Sequence, residues 1–84
     1  MREIDFRPFI RDVPDFPTRG VIFKDITPLL GDADMFVAAV EAMADPFDGD
    51  DVTKVVGIEA RGFIFAGPIA RRLGTGFVPI RKAG

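Results

Sequence analysis

The chain of 84 residues contains neither cysteine nor histidine. Disulfide and thiolate-metal frameworks are thereby excluded, and imidazole triads and imidazole metal sites go with them. No apolar run approaches the roughly 20 residues needed to cross a membrane as a helix. The opening "MREIDFRPFIRDV" carries a charge every few residues, unlike the basic flank and apolar stretch of a secretory leader, so the expected compartment is the cytoplasm. What is present is apolar: 48% of the residues are hydrophobic and nine are Phe. That composition is expected to fold, and a chain this short makes one small domain whose stability is marginal.

The net charge of −2 argues against non-specific nucleic-acid binding, but the average conceals a division. Residues 1–51 hold five basic residues against twelve acidic ones, whereas residues 52–84 hold Lys54, Arg61, Arg71, Arg72, Arg81 and Lys82 against Glu59 alone. A basic second half is compatible with a small anionic ligand there. Solvated surface charge explains the same division until the basic residues are placed.

The pattern of elements places them. "FIRDVPDFPTRG" (9–20) is broken by Pro and Gly and reads as a loop after a short helical turn, and "VIFKDI" (21–26) reads as a strand. A helix is expected to open near Asp32 or Asp34, to bury Phe36, Val37, Val40 and Met43 on one face, and to stop before Pro46. "DGDD" (48–51) lacks the spacing of a calcium loop and reads as a turn. "VTKVVGI" (52–58) is apolar at successive positions, as in a strand covered on both faces. "RGFIFAGPIARRL" (61–73) suits a helix stopped by Gly74, with Gly67-Pro68 expected to kink it. "GFVPIRK" (76–82) suits a second strand, in which Pro79 requires an edge or a bulge. Strand, helix, strand over about 30 residues is a βαβ unit with parallel strands.

In open α/β sheets ligands bind beyond the carboxyl ends of the strands. "GIEARG" and "IRKAG" leave the sheet on that one side, bringing Arg61, Arg81 and Lys82 towards one mouth. Arg61 stands among apolar neighbours at a helix N-terminus, where the dipole repels a cation and attracts an anion. A phosphate bound there, or an ion pair with Glu59, would account for it. Arg71 and Arg72 lie at the other end of the helix, where cations complement the dipole with no ligand. Phe23 reads as core packing on these grounds.

"IRDVPDFPTRGVIFKDITPLL" and "VVGIEARGFIFAGPIARRLGTGFVPIRKAG" closely resemble the N-terminal half of adenine phosphoribosyltransferases, from about Ile10 to the last residue. The resemblance implies an α/β fold: part of a type I phosphoribosyltransferase core, a parallel sheet flanked by helices, with an N-terminal hood segment. It implies a single truncated domain, with about 1–30 forming the hood and base pocket and about 31–84 the first part of the core. The implied reaction joins adenine to phosphoribosyl pyrophosphate, giving AMP and pyrophosphate in purine salvage, with Mg2+ carried by the pyrophosphate and no metal ligand identified in this chain. By the same resemblance Glu59, Ala60, Arg61 and Gly62 form the pyrophosphate loop, and Arg61 stabilises the leaving group. Arg81 and Lys82 then contact pyrophosphate across the site or a homodimer interface.

Phe23 stacks on adenine in that family, while the backbone at Ile22 and Lys24 reads its edge. Lys24 replaces the Arg found in many members, a change that leaves a backbone contact intact. The loop is also expected to hold a cis or otherwise strained peptide at Glu59–Ala60. Family members run to about twice this length, continuing into a lid loop and a ribose-phosphate turn that carry the remaining site residues. A truncated chain is expected to be inactive alone, and to self-associate or stay partly unfolded. A non-catalytic purine-binding or regulatory module of the same fold, and an inactive structural remnant, are the alternatives.

Overall fold

The computed structural model describes residues 4–83, and their contacts divide the chain into two units between Ala39 and Val40. The first unit opens with one 3₁₀ turn at Arg7–Phe9, followed by an antiparallel hairpin of β1 (Arg11–Pro14) and β2 (Ile22–Asp25). The register sets Arg11 opposite Asp25, Asp12 opposite Lys24 and Val13 opposite Phe23. β1 corrects the reading of residues 9–20 as loop. Its four residues end in a proline, which a two-stranded ribbon tolerates because a missing N–H costs nothing on an edge. The density of Pro and Gly just beyond it obscures so short a strand.

The connection between the two strands is tightly held. Asp15 takes a left-handed φ of 56° and its carboxylate accepts the Gly20 N–H at 2.9 Å. The Phe16 N–H donates to the Val21 carbonyl at 3.1 Å, and the Phe16–Pro17 peptide is cis. Past the hairpin, a single helical turn, α1 (Thr27–Leu30), carries Pro28 at its start and buries Leu29. Helix α2 (Ala33–Ala44) then begins where expected: the Asp32 carboxylate accepts the Met35 N–H at 3.0 Å, an ordinary N-cap. It ends just before the 3₁₀ turn Asp45–Phe47 that contains Pro46. Its buried positions are Ala39, Val40 and Ala44, while Val37 is 59% exposed and Met43 is also exposed. Of the expected stripe, Val40 is buried and Phe36 half-buried, whereas Val37 and Met43 are exposed and the small Ala39 and Ala44 take the inward positions in their place.

The second unit takes in the last turn of α2 and the Asp45–Phe47 turn and is built on a βαβ motif: β3 (Lys54–Ile58), α3 (Arg61–Leu73) and β4 (Gly76–Ile80). β3 and β4 pair in parallel, with Val56 beside Val78, Gly57 beside Pro79 and Ile58 beside Ile80. Helix α3 runs through Pro68 without a break and stops at Gly74, whose φ of 71° suits glycine. Pro79 lies in a strand with a single partner among the described residues, as its missing N–H requires.

Gly57 sets how closely α3 lies on the sheet. A Cβ there would stand 2.7 Å from the Ala66 Cβ, 2.9 Å from the Phe77 ring and 3.1 Å from the Gly62 carbonyl oxygen. Ala66 and Ala70 of α3 are buried, and Phe63 meets Phe77 edge-on with ring centroids 5.9 Å apart. The alternate positions Val56, Ile58, Val78 and Ile80 are all exposed, up to 57% for Ile58. The expectation of a β3 covered on both faces is thus corrected to one covered face. No large side chain among the described residues is fully buried.

Candidate functional site

Each unit carries one group of the residues singled out from the sequence. In the βαβ unit, the parallel ladder continues one step past the strands, the Glu59 N–H donating to the Ile80 carbonyl at 3.0 Å. The Glu59 carboxylate then accepts the backbone N–H of Lys82. This draws residues 59–62 and 81–82 together at the carboxyl ends of β3 and β4, the side on which an α/β sheet receives ligands. The Glu59–Ala60 peptide is cis, as expected for this loop.

Helix α3 starts at Arg61 directly after that peptide. No side chain caps its N-terminus, and its first turn contains no acidic residue. First-turn N–H groups and the positive end of the dipole thus face outward beside Arg61, Arg81 and Lys82, all three exposed. The exposure of Arg61 corrects the sequence-based picture of a charge set in apolar surroundings. Its apolar neighbours turn inward along the helix while Arg61, at the first position, stays in solvent. The arrangement is suited to a polyanion: fixed dipoles and exposed cations on one edge.

The opposite end of α3 differs in kind. Arg72 donates through Nε to Glu41 at 2.7 Å and through its terminal nitrogens to Asp45 and Asp48, both at 3.2 Å. The hydrogen bonds it donates to Asp48 and Glu41 push its pKa above the already high value of a guanidinium. Arg71 is exposed. The sequence reading of Arg72 as a residue needing no ligand stands, but its partners are carboxylates as well as the helix dipole. "DGDD" (48–51) reads from the sequence only as a turn, and one of its acids, Asp48, is a partner of Arg72.

In the hairpin unit, Ile22, Phe23 and Lys24 form three of the four positions of β2. Ile22 and Lys24 are exposed, whereas Phe23 is half-buried and meets the Phe16 ring edge-on at 5.2 Å. The Lys24 ammonium reaches across the hairpin to Asp12 at 2.6 Å. Next in sequence, Asp25 is the buried polar residue of the described chain, and it went unnoticed in the sequence. Its Oδ1 accepts the Thr27 N–H at 3.0 Å and the Thr27 hydroxyl at 2.9 Å, and its other oxygen accepts from the Arg11 guanidinium. The bond from the Thr27 N–H, then that from the hydroxyl, hold its carboxyl below the usual carboxylate range, with Arg11 adding to them. The signal that could have found it is the Asp-x-Thr spacing at a strand end, a turn in which the carboxylate takes the N–H two residues on.

No family model matches the chain. Individual relatives do. An adenine phosphoribosyltransferase from Thermobifida fusca is 57% identical over 76 residues, which is 90% of this chain and 43% of the relative. The chain is homologous to the adenine phosphoribosyltransferases. Among solved structures, the enzyme from Thermoanaerobacter pseudethanolicus superposes with a TM-score of 0.88 at 48% identity, over 94% of this chain and 47% of that one. The enzyme from Giardia lamblia, solved with 9-deazaadenine, gives 0.87 at 44% identity over 93% and 43%. The chain spans a little under half the length of the adenine phosphoribosyltransferases it matches. Its α/β fold, with helices and a parallel strand pair, is that of the corresponding part of those structures.

Proposed function

We propose that the protein carrying this chain is an adenine phosphoribosyltransferase of purine salvage, forming AMP and pyrophosphate from adenine and phosphoribosyl pyrophosphate. The observation that carries the reading is the edge at Glu59–Gly62. An uncapped helix N-terminus and three exposed basic side chains gather there in a chain homologous to these enzymes. Cleavage of the bond from ribose to pyrophosphate builds positive charge on the sugar and negative charge on the leaving group. Donors fixed in advance around the leaving group therefore lower the barrier more than they tighten the ground state.

In this reading Arg61 and the N–H groups of Arg61 and Gly62 take the pyrophosphate, Glu59 and Ala60 shape the loop, and Arg81 and Lys82 add charge from the neighbouring strand. Phe23 stacks on adenine while the backbone at Ile22 and Lys24 reads its edge; the 9-deazaadenine complex of the Giardia relative supports a base site in this family. Magnesium enters on phosphoribosyl pyrophosphate as part of the substrate. The working protein is a homodimer in the cytoplasm, and the 84 residues alone are inactive.

Amide spectra of the isotopically labelled chain test this directly. Pyrophosphate is expected to shift the Arg61 and Gly62 amides, and adenine those of Ile22, Phe23 and Lys24. Shifts gathered at Arg71 and Arg72 instead, or none from either ligand, would overturn the assignment. An assay for AMP formation by the 84-residue chain, expected to give none, separates binding from turnover.

A further inference from the structure

The base contacts proposed above run largely through the backbone of β2, and a backbone group cannot be exchanged by substitution. The sequence can control such a contact only through whatever fixes the strand. β1 and β2 form a ribbon of four residue pairs with no third strand among the described residues. Ribbons of that size are marginal on their own.

At one end Phe16 packs edge-on against Phe23. At the other, Asp25 joins three segments at once: across the ribbon to Arg11, its partner in register, and forward to the N–H and hydroxyl of Thr27 at the head of α1. Alternation along a strand sets Asp25 on the same face as Phe23, two residues away, and next to Lys24 in the chain. The carboxylate is buried on the face it shares with Phe23, while the side chains of Ile22 and Lys24 alternate to the other face and are exposed.

We infer that Asp25 is a positioning residue for purine recognition: through Arg11 and Thr27 it holds the Ile22–Lys24 backbone in the geometry that reads the base, without touching the base itself. The inference rests on the proposed base site and adds to it the residue that orients it. A misplacement of about 1 Å can cost a reaction about 10²-fold in rate, and a smaller loss, about tenfold, is the scale expected here for binding.

The test titrates adenine and, separately, pyrophosphate into the labelled whole protein that carries this chain, wild type, Asp25→Asn and Asp25→Ala, reading affinity from the resonances of folded molecules and stability from thermal melting. Asp25→Ala is expected to weaken adenine binding by about tenfold with pyrophosphate affinity unchanged. Asp25→Asn, which keeps an oxygen for Thr27 and loses the charge facing Arg11, is expected to weaken it a few-fold. A lower melting temperature with unchanged adenine affinity in the folded molecules would reduce Asp25 to a fold-stabilising residue and overturn the inference. If Asp25→Ala does not fold, Arg11→Gln and Thr27→Ala each remove one partner of the same carboxylate. Wild-type adenine affinity in both would be equally fatal. Failure of the wild-type protein to bind adenine at Ile22–Lys24 sinks the base site itself, a result distinct from wild-type binding that the variants leave unaltered.

Discussion

Helix α3 carries an arginine at its first residue and another at its last turn, and the two have opposite settings. Arg72 sits at the negative end of the dipole and forms ion pairs with Glu41, Asp45 and Asp48. Arg61 sits at the positive end, exposed, in a turn with no acidic residue and no side-chain cap. One arrangement is accounted for by the carboxylates around it; the other is the one that the proposed function assigns to an anion. A cation placed against a dipole therefore says more about function than a cation placed along it, even when both stand on the same helix.

The sharpest way to break this contrast is to remove both arginines in turn from the whole enzyme. Arg61→Ala is expected to lower turnover about 10²–10³-fold, the loss typical of deleting one donor aimed at developing negative charge. Steady-state kinetics check it, and a loss below tenfold would deny Arg61 that role. Gly57→Ala comes next. The new methyl group must push α3 off β3 against Ala66, Phe77 and the Gly62 carbonyl, at a cost of about 1–3 kcal/mol in denaturant unfolding. Because Gly62 belongs to the proposed anion loop, pyrophosphate binding should weaken with it.

Arg72→Ala is expected to lower the melting temperature by several degrees while pyrophosphate affinity stays at the wild-type value, since its partners lie at the far end of the helix. Equal losses of affinity in Arg61→Ala and Arg72→Ala would erase the distinction between the two ends. Arg71→Ala, at an exposed position beside it, should change stability by no more than about 0.5 kcal/mol and is the appropriate control.

The limits of α3 were legible because both have local causes: a break after Glu59-Ala60 and a glycine at 74 that adopts the left-handed conformation. The parallel pairing of β3 and β4 followed from a βαβ connection, which fixes strand direction. The meeting of residues 59–62 with 81–82 followed in turn, since parallel strands end on the same side. β1 was not legible, because its pairing depends on a partner strand across a Pro- and Gly-rich connection rather than on its own composition. Nor were the partners of Arg72 or the pairing of Asp25 with Arg11, which join separate segments and leave no periodic trace. Gly57 looked like one more small residue in an apolar run; only the distance to Ala66 reveals why no larger side chain fits.

The uncovered side of the β3–β4 pair has a consequence for how the chain is made. Strand, helix and strand are contiguous from Lys54 to Ile80, so the motif can close as soon as this stretch clears the ribosome, without waiting for a distant segment. Closure buries one face under α3 and turns Val56, Ile58, Val78 and Ile80 outward as a single apolar strip. During synthesis that strip is what a holdase chaperone or a neighbouring nascent chain would meet first. Charged substitutions at Val56 and Ile58 should therefore raise the soluble yield of the 84-residue chain while leaving the motif itself intact.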